Sequence, residues 1–161
     1  MSKINSILIL HNIRSVLNVG AIFRTADAVG ISKIYLSGYT PTPIDRFGRE
    51  RSDFKKSALG AEKNVPWEFL EHDVLQTIDN LKKQNYKIIS LEQSNSSIDY
   101  KKIKLNDIDH VAIIVGNEVS GIEKEILESS DIVAEIPMSG KKESLNVSVA
   151  TGVFLFRLLD K

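Results

Sequence analysis

The sequence predicts an α/β protein: a mainly parallel sheet with helices on both faces. Short apolar runs alternate with helical segments, and the apolar runs are hydrophobic on both sides, as strands of a covered parallel sheet are. The predicted strands cover residues 7–10, 33–37, 86–92, 110–115 and 132–136. The predicted helices cover residues 19–29, 74–84, 123–129 and 146–159. Because 161 residues fit one domain, we expect a single domain over residues 1–161.

The first half of the chain contains two predicted strands, one helix and a long loop. Residues 7–10 are wholly apolar, which is typical of a buried strand. The helix over 19–29 has apolar residues at helical spacing, and Gly30 stands where a glycine commonly ends a helix. Residues 41–62 are polar and show no period, which predicts a long loop of the kind that often carries function.

The second half contains the clearest strand of the chain. Residues 74–84 form an amphipathic helical pattern, followed by a strand over 86–92. Residues 110–115 (HVAIIV) predict a fully buried strand that runs directly into Gly-Asn-Glu. Pro137 ends the strand predicted over 132–136.

The last predicted helix, residues 146–159, is apolar on nearly every face. A helix of that kind must be buried on two sides. Its own domain can cover one side, and a second copy of the chain is the natural cover for the other. We therefore expect a homodimer through this helix, with Phe154 on its outer face.

Composition and charge exclude several classes of protein. Lys and Arg number 21, as do Asp and Glu, so a nucleic-acid surface would have to be a local basic patch. The sequence has no cysteine, its three histidines are far apart, and we expect no metal. The apolar run at residues 7–10 is too short for a signal peptide, and no run approaches a membrane span. We expect a cytoplasmic protein without membrane contact.

Motifs of other enzyme classes are missing. Gly116 and Gly121 have the spacing of a phosphate-binding loop, but Ile122 and Glu123 stand where Lys and Ser or Thr are needed. No Gly-x-Gly-x-x-Gly follows the first strand, which disfavours an ordinary dinucleotide fold. No Gly-x-Ser-x-Gly turn is present, which disfavours an α/β hydrolase.

Three polar segments follow predicted strands, where ligands bind in open α/β sheets. They cover residues 12–30, 116–122 and 136–150. Taken singly, their polar residues could be helix caps and their glycines could serve tight turns. Three strand ends that all supply small or polar residues, beside a helix that bears an arginine, favour one shared site.

These segments resemble, in order, the three motifs of the SpoU (TrmH-like) RNA 2′-O-ribose methyltransferases of the SPOUT superfamily. The matching parts are Asn18 with Arg24, Gly116-Asn117-Glu118 with Gly121, and Ile136-Pro137-Met138 leading to Ser144-Leu145-Asn146-Val147-Ser148. The resemblance implies a deep trefoil knot in the C-terminal part of the chain. It also implies S-adenosylmethionine (SAM) as cofactor and methyl transfer to a ribose 2′-hydroxyl of RNA.

The resemblance assigns residues to roles. It implies that the cofactor lies among Leu91, Gly116, Asn117, Gly121, Ile136, Met138, Ser144 and Leu145. It implies that the catalytic residues are Arg24, Asn18, Glu118, Ser144 and Asn146. The central role falls to Arg24, which is a poor base because its pKa stays above about 12. We expect Arg24 to hold the neighbouring phosphate and place the hydroxyl.

The basic residues of the 41–62 loop are candidates for contacts with RNA phosphates, because they are dense in a long aperiodic segment. The loop candidates are Arg46, Arg49, Arg51, Lys55 and Lys56, and Arg14 of the first polar segment joins them. Many relatives carry an N-terminal RNA-binding domain, and we expect none here. By analogy with small members of this family, we expect tRNA ahead of rRNA as the substrate. Two alternatives stay open: a knotted RNA-binding module without activity, and a SPOUT-type base methyltransferase.

Overall fold

The computed structural model describes residues 4–160, in which seven strands form one parallel sheet with the order β3-β2-β1-β6-β4-β7-β5. The strands are β1 (Asn5–His11), β2 (Lys33–Ser37), β3 (Trp67–Phe69), β4 (Lys87–Leu91), β5 (Ile98–Asp99), β6 (His110–Val115) and β7 (Ile132–Glu135). Every pairing within the sheet is parallel. The prediction of a mainly parallel sheet is confirmed.

Helices cover both faces of this sheet. They are α1 (Val16–Val29), α2 (Ser52–Ala58), α3 (Ala61–Asn64), α4 (Val74–Lys83), α5 (Lys124–Ser129) and α6 (Val147–Leu158), with a 3₁₀ turn over Tyr100–Lys102. Alternate residues of the strands point to opposite faces, so the sheet separates two cores. On β1, Leu8 and Leu10 pack with α1, α2 and α6, whereas Ile7 and Ile9 pack with α4 and α5.

Helix α1 begins earlier than predicted because its cap is Ser15. The Ser15 hydroxyl accepts a hydrogen bond from the Asn18 amide at 3.2 Å, which satisfies one of the free N–H groups at the helix start. Asn18 therefore lies inside the helix, so its side chain is available for other contacts. The helix ends at Gly30, whose φ of 80° is the left-handed conformation that the sequence predicted there.

The segment predicted as one long loop, residues 41–62, contains α2 and the start of α3, and β3 follows it. These elements are too short to show a period in sequence. Their apolar residues pack on α1: the rings of Phe54 and Phe23 meet edge to face with centroids 5.2 Å apart. A Cβ on Gly20 would lie 3.0 Å from the Ala58 nitrogen, so glycine allows the close contact between α1 and α2.

Helix α6 is buried on one side by its own domain and exposed on the other. Phe154 is 1% exposed and packs in the core, so its predicted position on the outer face is wrong. The apolar side chains that face solvent are Val149 (51% exposed), Val153 and Phe156 (42% exposed). Among residues 4–160, no helix is both long and apolar enough to cross a bilayer.

Candidate active site

A cavity of about 620 Å³ opens at the carboxyl ends of β4, β6 and β7 and at the start of α6. Parallel strands end at the same edge of a sheet, which brings segments that are far apart in sequence to one place. All the residues predicted to bind the cofactor line this cavity: Leu91, Gly116, Asn117, Gly121, Ile136, Met138, Ser144 and Leu145. Asn18, Glu118 and Asn146 line it as well.

Two glycines give the cavity its shape. A Cβ on Gly116 would lie 2.5 Å from the Ile122 side chain and 3.0 Å from the Gly121 carbonyl oxygen. Gly121 has a φ of 72°, and a Cβ there would lie 2.5 Å from a Glu92 carboxylate oxygen. The loop after β6 therefore folds tightly back on itself, and its main-chain groups line the cavity without side chains in front of them.

Asn117 builds the turn after β6. Its side-chain oxygen accepts hydrogen bonds from the amides of Val119 (2.9 Å) and Ser120 (2.7 Å). Its side-chain nitrogen donates to the Asn12 carbonyl (3.0 Å) and to the Tyr39 hydroxyl (2.8 Å). With both ends of this buried amide engaged, Asn117 shapes the cavity wall and joins it to the segments that follow β1 and β2.

Glu118 connects the turn after β6 to the start of α1. One carboxylate oxygen accepts from the Asn18 side chain and from the Ser15 amide, both at 3.1 Å, and the other accepts from the Arg14 amide at 3.0 Å. Burial by itself raises the pKa of Glu118, but these hydrogen bonds outweigh it and hold the pKa below the ordinary value of a glutamate. The carboxylate is therefore ionised at neutral pH.

The polar chain continues from Asn18 to the last helix. The Asn146 side-chain nitrogen donates to the Asn18 side-chain oxygen at 3.1 Å. The Asn146 oxygen caps α6 by accepting from the Ser148 amide (2.9 Å) and hydroxyl (2.6 Å). Glu118, Asn18 and Asn146, predicted as catalytic residues from three separate segments, thus form one continuous network.

The loop before α6 leaves one hydroxyl of the cavity without a partner. Gln93 donates to the Glu143 carbonyl at 2.8 Å and so ties this loop to the end of β4. Ser144 is exposed and lines the cavity, and its hydroxyl makes no hydrogen bond within the described part of the chain. Its side chain is therefore available to a ligand.

Sequence reasoning missed Glu92 and Gln93. Both line the cavity, and the Glu92 carboxylate accepts from the amides of Ile122 (3.0 Å) and Gln93 (2.9 Å). A polar pair directly after a buried strand is a signal that could have pointed to them, because such positions lie at the ligand-binding edge of a parallel sheet.

Arg24 does not line the cavity. It lies on α1, exposed, and its guanidinium makes no hydrogen bond or ion pair with any residue from 4 to 160. Asn18, on the same helix, reaches the network beside the cavity. The structure therefore brings four of the five predicted catalytic residues together and leaves Arg24 outside the group.

The six predicted RNA contacts divide into two sets. Arg49, Arg51 and Lys55 pair with nearby acids, namely Asp45, Asp53 and Glu50. The side chains of Arg14, Arg46 and Lys56 are exposed and form no ion pair among the described residues. Because local acids neutralise the first set, the second set has more charge to offer a phosphate.

Together these features define a nucleotide-scale ligand site. The volume lies within the roughly 300–1,000 Å³ typical of small-molecule sites. Leu91, Ile136 and Leu145 supply apolar wall, and main-chain groups near Gly116 and Gly121 supply polar contacts. An adenosyl group needs this mixture, and so the residues present fit SAM. No cluster of three or more candidate metal ligands occurs among residues 4–160.

The model of the SpoU rRNA Methylase family matches residues 5–156, and the chain belongs to that family. An uncharacterised tRNA/rRNA methyltransferase of Borreliella burgdorferi is 36% identical over 94% of this chain and 62% of its own. The tRNA (guanosine(18)-2′-O)-methyltransferase of Aquifex aeolicus is 32% identical over 93% of this chain and 66% of its own. The resemblance inferred from the three polar segments is confirmed.

A solved relative supports the cofactor. The AdoMet-bound rRNA methyltransferase of Sinorhizobium meliloti superposes with a TM-score of 0.80 and 27% identity, over 98% of this chain and 57% of that one. SAM is thus a cofactor of this family, as the sequence predicted. The chain spans less than two thirds of the length of each of these three relatives.

Proposed function

We propose that this protein transfers the methyl group of SAM to a ribose 2′-hydroxyl of RNA, with tRNA ahead of rRNA as substrate. The observation that carries the proposal is the cavity, which collects residues of all three motif segments around one hydrogen-bond network. Membership of the SpoU family supports RNA as the substrate class. The names of the relatives include both tRNA and rRNA, and the ranking follows the analogy with small members of the family.

The chain's own residues would hold the cofactor by shape and by main-chain contacts. The tight loop containing Gly116 and Gly121 exposes backbone N–H and C=O groups to the adenosyl moiety, and Leu91, Ile136 and Leu145 exclude water around it. When bound, SAM supplies an electrophilic methyl group on a sulfonium.

The remaining residues would contribute in two ways, by positioning neighbouring groups and by electrostatic stabilisation. Glu118 is ionised and already accepts three hydrogen bonds, so we assign it to positioning Asn18 and the start of α1. Ser144, whose hydroxyl lacks a partner in the described chain, would contact the ribose. Arg24 would hold the phosphate beside the target and, through its positive charge, favour transfer of the hydroxyl proton to water.

A homodimer through the exposed side of α6 is part of the proposal. Val149, Val153 and Phe156 leave an apolar strip on that side. Thr25, the residue after Arg24, lies against Gly152 of α6, so the helix that carries Arg24 would lie beside the proposed dimer interface. The trefoil knot and a cytoplasmic location also remain proposals.

Incubation with radiolabelled SAM and total RNA from a strain that lacks the gene tests the reaction. Digestion to nucleosides should place the label in a 2′-O-methylnucleoside, and the size of the labelled RNA separates tRNA from rRNA. Label in a base would replace the proposal with a base methyltransferase. Absence of both label and SAM binding would replace it with a non-catalytic RNA-binding module.

Arg24→Ala tests the role of the arginine. We expect loss of methyl transfer with SAM affinity unchanged, because Arg24 lies outside the cavity lining. Lys83→Ala, an exposed cation on α4, is the matched control and should leave both measurements unchanged. Near-normal turnover of Arg24→Ala would contradict the assignment.

A further inference from the structure

Two exposed aromatic side chains follow β2 along the chain: Tyr39 (58% exposed) and Phe47 (66% exposed), here called the aromatic pair. Neither belongs to the cavity lining or to the apolar strip on α6. Each of the two residues is held by contacts that leave much of its ring exposed to solvent, so both rings are available to a ligand.

Tyr39 is the member of the aromatic pair that contacts the cavity wall. Its hydroxyl accepts a hydrogen bond from Asn117, a residue of the cavity wall, at 2.8 Å. Its main-chain amide donates to the Asn12 side chain at 3.2 Å. The main chain and the hydroxyl of Tyr39 are therefore both held, which places the ring beside the wall of the cavity in which methyl transfer is proposed.

Phe47 lies in a turn organised by Asp45. The Asp45 carboxylate accepts from the amides of Phe47 (2.8 Å) and Arg49 (2.9 Å), and Ile44 and Glu50 form an antiparallel bridge at the base of the turn. These contacts fix the backbone of the turn, so the main chain at Phe47 loses little further freedom on binding.

Positive charge accompanies the aromatic pair. The Arg46 and Arg49 guanidinium carbons lie 4.8 and 5.0 Å from the centre of the Phe47 ring. Arg46 forms no ion pair in the described chain, and Arg14, equally unpaired, lies at the start of the segment that borders the cavity. Aromatic faces interleaved with cations are what single-stranded nucleic acid needs, since bases stack and phosphates require positive charge.

We propose that Tyr39 and Phe47 are stacking platforms for unpaired bases of the RNA that enters the cavity, with Arg46 and Arg14 on the adjoining phosphates. This inference rests on the proposed function, because it takes RNA as the substrate. The positive charge beside the Phe47 ring favours RNA over a second protein copy, for which the apolar strip on α6, free of such charge contacts among the described residues, is the better surface.

Binding of two fluorescent probes tests the inference: a short single-stranded RNA oligomer and an abasic ribose-phosphate oligomer of equal length. The wild-type protein should prefer the oligomer with bases. Tyr39→Ala and Phe47→Ala should each weaken its binding about 5- to 150-fold, the loss expected for one stacked base. Binding of the abasic oligomer should hardly change.

Two controls separate stacking from structural damage. Tyr39→Phe also loses the hydrogen bond to Asn117 but keeps the ring, so it should keep the preference for bases. Ile98→Ala removes an exposed apolar side chain on β5 and should change neither affinity. SAM affinity should stay at the wild-type value in Phe47→Ala and Ile98→Ala, and Tyr39→Ala should match Tyr39→Phe, which loses the same hydrogen bond.

Equal binding of the two oligomers by the wild-type protein, or no binding of either, would overturn the inference. So would a changed oligomeric state of the alanine variants at unchanged RNA affinity, which would assign the surface to protein contact. If the wild-type protein prefers bases but labels no ribose, the proposed reaction fails and the stacking role stands. If it labels ribose without preferring bases, the stacking role fails alone.

Discussion

Replacing Glu118 with glutamine should loosen the start of α1 while leaving the fold intact. The carboxylate accepts three hydrogen bonds, and glutamine keeps one oxygen but turns an amide donor toward groups that also donate. A hydrogen bond to a charged group contributes about 1.5–3 kcal/mol. Because water reaches this half-buried site, we expect a net loss of about 1–3 kcal/mol, which lowers Tm by about 2–10 °C.

The effect should depend on pH in a defined direction. The pKa of Glu118 lies below the ordinary value, since hydrogen bonds to the ionised form outweigh the opposing effect of burial. Its stabilisation is therefore present above the pKa of the unfolded chain and is lost as the pH falls through the lower pKa of the folded protein. The difference in Tm between wild type and Glu118→Gln should be largest at neutral pH and shrink in acid.

Thermal unfolding across this pH range, with methyl transfer and SAM affinity measured at neutral pH, is the assay. Turnover should fall further than SAM affinity, because the network positions Asn18 and Asn146. Glu71→Gln, an exposed glutamate before α4, is the control and should leave Tm unchanged. An unchanged Tm and turnover for Glu118→Gln, or a Tm difference that grows in acid, would refute the reasoning.

Three further substitutions test the cavity, the α6 surface and the core. Gly121→Ala should lower SAM affinity, measured by calorimetric titration, and should cost about 1–2 kcal/mol of stability. The reason is that Gly121 has a φ of 72° and that a Cβ there would meet the Glu92 carboxylate. Gly140→Ala is the control, because Gly140 has open space around it. Phe156→Glu should yield a folded monomer by light scattering, and an unchanged dimer would exclude this face of α6. Phe154→Ala should cost about 3–5 kcal/mol in denaturant unfolding, and a loss below about 1 kcal/mol would contradict its place in the core.

Much of the sheet could be read from local pattern. Continuous apolar runs predicted β1, β2, β4, β6 and β7, because strands covered on both faces have no polar alternation. Strands β3 and β5 and helices α2 and α3 were missed, since elements of two to seven residues show no period. Helices α2 and α3 pack on α1, as in the contact of Phe54 with Phe23, whereas β3 pairs with β2 and β5 pairs with β7.

The candidate site was foreseen as a set of residues but not as an arrangement. Motif residues at strand ends indicated the cavity, since parallel strands finish at one edge. Sequence could not show that Asn117 is fully engaged in building the turn, or that Arg24 lies outside the cavity. Hydrogen-bond partners and the direction of a helix face depend on how distant segments pack.

The sequence by itself determined the fold class, the three polar segments and, through them, the family, because periodicity and motif spacing are local properties of the chain. Only the tertiary structure decided that Glu118, Asn18 and Asn146 form one network across more than a hundred residues of sequence, and that Phe154 faces inward while Phe156 faces solvent. The physical reason is that an apolar helix gives no sign of which side its own core will cover. The hydrogen-bond partner of a polar residue also cannot be read from the sequence, because it depends on how distant segments pack in the folded chain.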